Sequence, residues 1–326
     1  MAKGLDIGTM NIVCAEMEGD EVVFVQQRNA FLELDYSDLT KMMLDNANVL
    51  YVIKDNKIYV LGDDAMKFAT VFRKSTRRPM RSGILSPEEK EAIPIIKLII
   101  EKVLGSPKYD NEIVCLSSPA NPIDSDIEPT YHRKTMEALV KKMGYKPFTI
   151  DEGLAVIYSE LADNSFTGIG ISFGAGLTNV TAAYFAAPIV SFSIARGGDW
   201  IDENAAKATG TPREQVCAIK ESKFELKYEV ELGSVEGALA IYYDYLITYV
   251  VENLRRKLAE VSPPQVEFPI VLAGGTSKPK GFKEAFEEKI SQVGLPVEVS
   301  QIKTAKDPLL CVARGCLIAA KTREQQ

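Results

Sequence analysis

Three short glycine turns carry the first chemical signal in this sequence. They are Asp6-Ile-Gly-Thr, Phe173-Gly-Ala-Gly and Ala273-Gly-Gly-Thr, and each follows a run of strand-forming apolar residues. Glycine accepts positive φ and lets backbone N–H groups approach an anion closely. Two such turns facing each other could clamp a polyphosphate, and the third could support a base and a ribose. Asp6 stands in the first turn. A carboxylate beside phosphates is unfavourable unless a cation lies between them, so Asp6 points to a hydrated Mg²⁺. The alternative is an aspartate that caps its own turn. A further pair of carboxylates, Asp151 and Glu152, falls where the run Pro147-Phe-Thr-Ile meets a helical pattern.

Other chemistries are short of residues. His132 is the single histidine, which excludes His-rich metal sites and leaves any Ser-His-Asp triad dependent on it. Its place at the start of a helical pattern predicts an exposed side chain. The five cysteines are scattered, with no Cys-x-x-Cys pair, and read as buried free thiols in a reducing cytoplasm rather than disulfides or zinc ligands. With 38 Lys and Arg against 45 Asp and Glu, the net charge is −7, the wrong sign for binding nucleic acid through its phosphates. The first residues lead straight into a strand, so no signal peptide is expected. The longest apolar stretch, 93–104, is broken by Pro94, Lys97, Glu101 and Lys102, too short and too charged to span a membrane.

The elements that must position the turns repeat. Residues 4–17 read as strand, tight turn, strand, with a third strand at 22–26. Residues 168–185 read the same way, with a third strand at 188–195. Aligning Gly8 with Gly174 gives an offset of 166 in a chain of 326 residues, so the sequence predicts a duplicated α/β unit with a cleft between its halves. Around this frame lie a hairpin at Asp55-Asn56 and a strand at 112–117. A helix is predicted from Ser86, with Ser as N-cap and Pro87 at the first position, to about 104. Further helices are expected at 130–143, 200–209 and 212–226, within 234–261, from about 281, and in the tail from 308. In the long helix, Ile241, Tyr245, Thr248, Val251 and Leu254 recur at helical spacing and are expected to pack inward.

At this point the chain resembles the superfamily of actins, sugar kinases and heat-shock chaperone ATPases, and within it the bacterial MreB and MamK actins. Asp6-Ile-Gly-Thr is similar to the first phosphate loop and Gly174-Ala-Gly-Leu-Thr to the second. Val60-Leu-Gly-Asp-Asp-Ala, Arg78-Pro-Met-Arg-Ser-Gly, Ile150-Asp-Glu-Gly-Leu-Ala, Gly197-Gly-Asp-Trp-Ile-Asp-Glu, Leu272-Ala-Gly-Gly-Thr-Ser and Asp307-Pro-Leu-Leu-Cys-Val-Ala-Arg-Gly resemble further family segments, in the family's order. The resemblance implies a duplicated ribonuclease H-like, actin-like ATPase fold of two domains around a nucleotide cleft. Domain I would take 1–160 plus 305–326, with a small insert at about 31–75. Domain II would take 161–304, with an insert at about 207–234.

The resemblance also implies roles. Gly8, Thr9 and Asn11 would lie at the β- and γ-phosphates of ATP or ADP, with Gly174, Ala175, Gly176 and Leu177 facing them. Gly197, Gly198, Lys220, Glu221, Gly274, Gly275 and Thr276 would surround the nucleoside, and Asp202 would lie near the ribose. Glu152 would align the attacking water, which suits a carboxylate at a strand–helix junction. Thr178 is the remaining threonine of the second loop and a catalytic candidate. Asp6 would hold Mg²⁺ through water. Where the family has an Asp opposite it, this chain has Ser172, and where the family has Glu-Glu-Pro it has Asp151-Glu152-Gly153. Loss of one carboxylate weakens the hold on Mg²⁺ and predicts slow or impaired hydrolysis. The implied function is a cytoplasmic actin-like protein that polymerises head to tail. The alternative is a non-polymerising ATP-binding adaptor or chaperone-like protein of the FtsA or PilM type. A membrane or an adaptor protein is a further candidate partner, with Phe31-Leu32 or Val71-Phe72 as the pair that could insert into lipid.

Overall fold

The computed structural model describes residues 2–227, 231 and 233–325. Part of the insert expected at 207–234, namely 228–230 and 232, lies outside the described residues.

The first half runs β1 (Lys3–Ile7), β2 (Asn11–Glu18), β3 (Glu21–Arg28), β4 (Phe31–Asp35), α1 (Asp38–Asn46), β5 (Tyr51–Lys54), β6 (Lys57–Leu61), α2 (Gly62–Phe72), β7 (Met80–Arg81), β8 (Ile84–Leu85), α3 (Ala92–Leu104), β9 (Ile113–Ser118), α4 (Thr130–Lys142), β10 (Lys146–Asp151) and α5 (Glu152–Glu160). The second runs β11 (Gly168–Phe173), β12 (Thr178–Tyr184), β13 (Ala187–Ile194), α6 (Gly198–Thr209), α7 (Arg213–Ser222), α8 (Val235–Ala259), β14 (Ile270–Ala273), a 3₁₀ turn at Gly275–Ser277, α9 (Phe282–Val293), β15 (Ile302–Thr304) and α10 (Cys311–Glu324).

Two five-stranded sheets share one topology. Their orders are β10-β9-β1-β2-β3 and β15-β14-β11-β12-β13. In each, a three-stranded antiparallel meander is extended by two parallel strands on the far side of its first strand. The repeat reaches single hydrogen bonds. Gly8 N–H donates to the Asn11 carbonyl at 3.0 Å, and 166 residues later Gly174 N–H donates to the Leu177 carbonyl at 2.9 Å. Each sheet has its own apolar core, one around Leu5, Ile12, Ile96 and Leu116, the other around Ile171, Phe192, Leu246 and Phe282.

α5 and α10 pack on each other between the sheets, and small residues allow it. A Cβ on Gly315 would collide with the Ala155 carbonyl, and one on Gly4 with the α10 backbone at Leu317. Gly153 lies under β12 in the same way. A Cβ there would stand 2.6 Å from the Thr181 nitrogen and 2.9 Å from the Gly170 carbonyl oxygen. The proline expected from the resemblance has no room at this point of the chain.

Residues 31–72 form a small separate layer, the sheet β4-β6-β5 covered by α1 and α2. Its core is Leu32, Leu34, Leu44, Ile58, Val60 and Ala65. The Asp55-Asn56 hairpin is present, with both residues at positive φ (50° and 59°), as a two-residue primed turn requires. Phe31 and Leu32 are fully buried, so they are not a lipid-inserting pair; Val71 is exposed and Phe72 half-buried.

Several expectations are corrected. α3 begins at Ala92, not at Ser86. Pro94 explains this: a proline is tolerated in the first turn, where its missing N–H has no partner to lose, but a helix begun at Pro87 would place it in the interior. α7 ends at Ser222 because Phe224 turns into the core and Leu226 N–H bonds the Lys280 carbonyl at 2.8 Å. His132 is buried, not exposed, and burial, with the Arg133 charge, pushes its imidazole down to about 4. On α8 Val251 and Leu254 are buried as expected and Thr248 is half-buried, but Ile241 and Tyr245 are about half exposed (53% and 51%), and Leu239, Tyr243, Leu246 and Val250 complete the inward face. Cys14, Cys115, Cys311 and Cys316 are buried free thiols; Cys217 is free but half-buried. Among the described residues no helix is long and apolar enough to cross a membrane.

Candidate functional site

The three glycine turns converge on one cavity of about 470 Å³ between the two sheets. From the first turn it takes Asp6, Gly8, Thr9 and Asn11; from the second, Ser172, Gly174, Ala175, Gly176 and Leu177; from the third, Gly274, Gly275 and Thr276. Glu152, Gly198, Lys220 and Glu221 also line it. These residues come from distant parts of the chain, and only the packing of the two sheets assembles them.

The turns are braced. The second is held by Gly198 N–H to the Gly174 carbonyl (3.0 Å), Asp199 N–H to the Ala175 carbonyl (2.9 Å) and the Thr276 hydroxyl to the Gly174 carbonyl (2.9 Å). Gly197 packs behind it: a Cβ there would stand 2.5 Å from the Gly174 oxygen, and Gly197 itself does not line the cavity. The first turn is held by the Asn29 amide, which donates to the Gly8 carbonyl at 2.9 Å. Gly274 takes φ 88°, and its N–H donates to the Pro308 carbonyl at 2.8 Å, tying the third turn to the start of α10.

The segment between β7 and β8 joins the first two turns. Gly83 N–H donates to the Thr9 hydroxyl at 3.1 Å. A Cβ on Gly176 would lie 2.5 Å from the Gly83 nitrogen and 2.7 Å from the Thr9 hydroxyl, so three chain segments meet there with no spare volume. Ion pairs cross between the halves nearby, Arg78 to Asp199 at 2.9 Å and Arg28 to Glu221 at 3.8 Å. Gly83 thus joins the site from the Arg78-Pro-Met-Arg-Ser-Gly segment; its Ser-Gly dipeptide is a turn signal in the sequence, and both residues take positive φ.

The carboxylates are half-buried at the cavity wall and poorly neutralised. Asp6 accepts a hydrogen bond from the Ser117 hydroxyl at 2.7 Å, and Glu152 accepts one from the Ser172 hydroxyl at 3.1 Å. Burial pushes both carboxyl groups above the ordinary carboxylate range, and the Asp6 charge raises Glu152 further. Among the described residues neither has a Lys or Arg ion-pair partner. Two half-buried carboxylates without a Lys or Arg partner suit a cation in the cavity, so the residues fit a Mg²⁺ reached from Asp6. Among the described residues no three His, Cys, Asp or Glu side chains form a direct metal-binding group.

Besides Gly197, two predicted site residues stand behind the wall. Asp202 is buried and pairs with Lys220 at 2.8 Å; Lys220 also donates to the Gly198 carbonyl at 3.0 Å. Asp202 therefore holds Lys220 in place and does not line the cavity. Burial raises its carboxyl pKa, with Lys220 opposing the rise. Thr178 is fully buried in β12, its hydroxyl donating to the Arg196 carbonyl at 2.8 Å, and it too is absent from the lining. Arg28, Phe224, Tyr243, Lys278 and Lys280 also stand on the cavity wall, although no motif in the sequence marks them.

A family model, volactin, matches residues 1–320. The chain belongs to the volactin family. No curated protein sequence matches it. Among solved structures, this volactin-family chain is similar to a MamK double helical filament, with 18% identity over 98% of both chains and a TM-score of 0.75. It is similar to MreB5 of Spiroplasma citri bound to AMPPNP, with 19% identity over 99% of this chain and 97% of that one and a TM-score of 0.67. It is also similar to the ethanolamine utilization protein EutJ from Carboxydothermus hydrogenoformans, with 18% identity over 97% and 88% and a TM-score of 0.54. The fold is thus the two-domain actin-like α/β fold.

Proposed function

We propose that this volactin-family protein binds ATP or ADP with Mg²⁺ in the cleft and assembles head to tail into nucleotide-regulated filaments, hydrolysing ATP slowly. The observation that carries the reading is the convergence of three braced glycine turns on one cavity between two repeated sheets. Solved relatives described as a filament, or as bound to AMPPNP or ADP, support it. The working division is domain I at 1–160 plus 305–326 and domain II at 161–304, in the cytoplasm, where buried free thiols persist.

In this reading Gly8, Thr9 and Asn11 face the terminal phosphates from one side, and Gly174 to Leu177 from the other. Asp6 holds the hydrated Mg²⁺, which supplies positive charge against the phosphates. Lys220, Glu221 and the third turn take the nucleoside. Glu152 orients a water for in-line attack, and the Ser172 hydroxyl fixes its direction. With a neutral serine at 172 the hold on the cation is weaker and turnover slower. Nucleotide bridging the halves favours a closed form, and a head-to-tail contact that does not close on itself propagates as an open filament.

The test is pelleting with ATP, ADP and no nucleotide in Mg²⁺ buffer, followed by negative-stain microscopy. Filaments in nucleotide support the reading. Monomers at high concentration under every condition defeat it and leave the adaptor reading, in which the same cleft binds nucleotide without polymerisation.

A further inference from the structure

The second glycine turn is braced through Gly197 and Gly198, and two adjacent glycines are too free in φ and ψ to hold themselves in place. The segment just before them, Ala195-Arg196, is held from the other half of the molecule. The loop between β9 and α4, 119–129, lies along part of the outer edge of β13 like a sixth strand. Ser193 N–H donates to the Asn121 carbonyl and Ile123 N–H to the Ser193 carbonyl, both at 3.0 Å. The Ser193 hydroxyl donates to the Ala120 carbonyl at 2.8 Å, and Ala120 N–H donates to the Asn179 side-chain oxygen at 3.1 Å. Asp124 completes the run. Its carboxylate accepts Ala195 N–H at 2.8 Å and stands 3.7 Å from the Arg196 guanidinium.

The Arg196 guanidinium is caged. It lies 3.8 Å from the centre of the Tyr249 ring, 5.4 Å from Tyr245 and 5.5 Å from Trp200, within cation–π range of all three. Its Nη1 is buried with no hydrogen-bond partner, and Asp124 supplies a counter-charge from the first half. On its other side the Arg196 carbonyl accepts the Thr178 hydroxyl at 2.8 Å, at the end of the second turn. Gly198 N–H and Asp199 N–H follow at once, on the Gly174 and Ala175 carbonyls. Arg196 therefore joins Asp124 to the turn that faces the cavity.

We propose that Asp124 is a positioning residue for the phosphate end of the cleft: with the 119–129 loop it clasps the first half to Arg196 and so holds the second glycine turn in its ligand-binding shape. This rests on the nucleotide reading of the same cavity. Such coupling is reciprocal, so a phosphate chain seated in the turn also favours the closed clasp.

The test uses Asp124→Asn, which keeps an acceptor for Ala195 N–H and removes the charge, and Asp124→Ala, which removes both. ATP and inorganic tripolyphosphate are titrated by calorimetry in Mg²⁺ buffer, well below the melting point of each protein. Asp124→Ala binds both ligands about tenfold more weakly than wild type, and Asp124→Asn falls between the two. Trp200 is the single tryptophan, so its emission reports the Arg196 contact. Ligand-free Asp124→Asn has a shifted emission maximum, and saturating ATP moves it back toward that of wild type. A lower melting point with unchanged affinity for both ligands reduces the loop to packing between the halves and overturns the assignment. Weaker binding with unchanged Trp200 emission overturns the route through Arg196. A wild type that binds neither ligand overturns the nucleotide reading, whereas a wild type that binds both, with variants that match it, overturns the role of Asp124 alone.

Discussion

The first and second glycine turns have the same backbone and opposite electrostatics. Both end the first strand of a meander, and both close with a Gly N–H to a carbonyl three residues on. At equivalent places stand Asp6 and Ser172. Asp6 is a half-buried carboxylate held by the Ser117 hydroxyl; Ser172 is a neutral donor that holds Glu152. Duplication preserves the backbone, because the turn is set by glycine and by sheet register. The side chains are free to diverge, because charge at the cleft is a matter of ligand and rate.

The largest expected effect separates the turns by packing. Gly176→Ala places a methyl group against the backbone of Gly83 in the other half, whereas the nearest obstacle at Gly8 is one carbonyl oxygen within its own turn, at 2.9 Å. We expect Gly176→Ala to cost roughly 2–4 kcal/mol in urea unfolding, and Gly8→Ala distinctly less. Equal costs would mean that the two halves are not locked together at this point.

Next is the pH dependence. Asp6 and Glu152 have folded-state values raised above their unfolded ones, so the unfolded chain binds fewer protons between the two. Ligand-free stability should therefore fall as pH rises from the ordinary carboxylate range through about 8, as the folded-state Glu152 carboxyl loses its proton. Glu152→Gln should remove on the order of 2 kcal/mol of that fall. The comparison is the difference between wild-type and variant unfolding curves at pH 5 and 8.5. Parallel curves would show that Glu152 ionises normally. Added Mg²⁺ should flatten the wild-type profile if the cation lies at Asp6.

The smallest effect is on rate. Ser172→Asp makes the turns alike in charge and should raise Mg²⁺-dependent phosphate release several-fold, about 1 kcal/mol in barrier. It should also lower stability without Mg²⁺, since a third carboxylate, at a buried position, joins the half-buried Asp6 and Glu152. Phosphate release at the wild-type rate would remove Ser172 as the cause of slow turnover.

Much of the frame was legible in the sequence. Glycine turns after strands and an offset of 166 led to two like sheets and one cleft, because turn chemistry and period are local properties. Facing was harder to read. His132, Ile241 and Tyr245 were placed on the wrong side because helical spacing says which residues share a face, not which face meets a neighbour, whereas Val251 and Leu254 of the same stripe are buried as expected. Ser86 looked like an N-cap, but Pro94 constrained the helix more strongly. Asp202 and Thr178 lie within chemically apt segments and still point away from the cavity, into Lys220 and the Arg196 carbonyl.

The sequence alone determined where the chain could bend tightly, which strands repeat and which carboxylates lie beside those bends. Each follows from residue types a few positions apart. The tertiary structure decided the rest. Only the closing of two sheets around α5 and α10 brings Asp6, Glu152 and Ser172 together, half-buries the two carboxylates and leaves the Tyr243 hydroxyl unpartnered. Burial and unmet hydrogen bonds depend on what lies across a cleft, and that is set by residues far away in the chain.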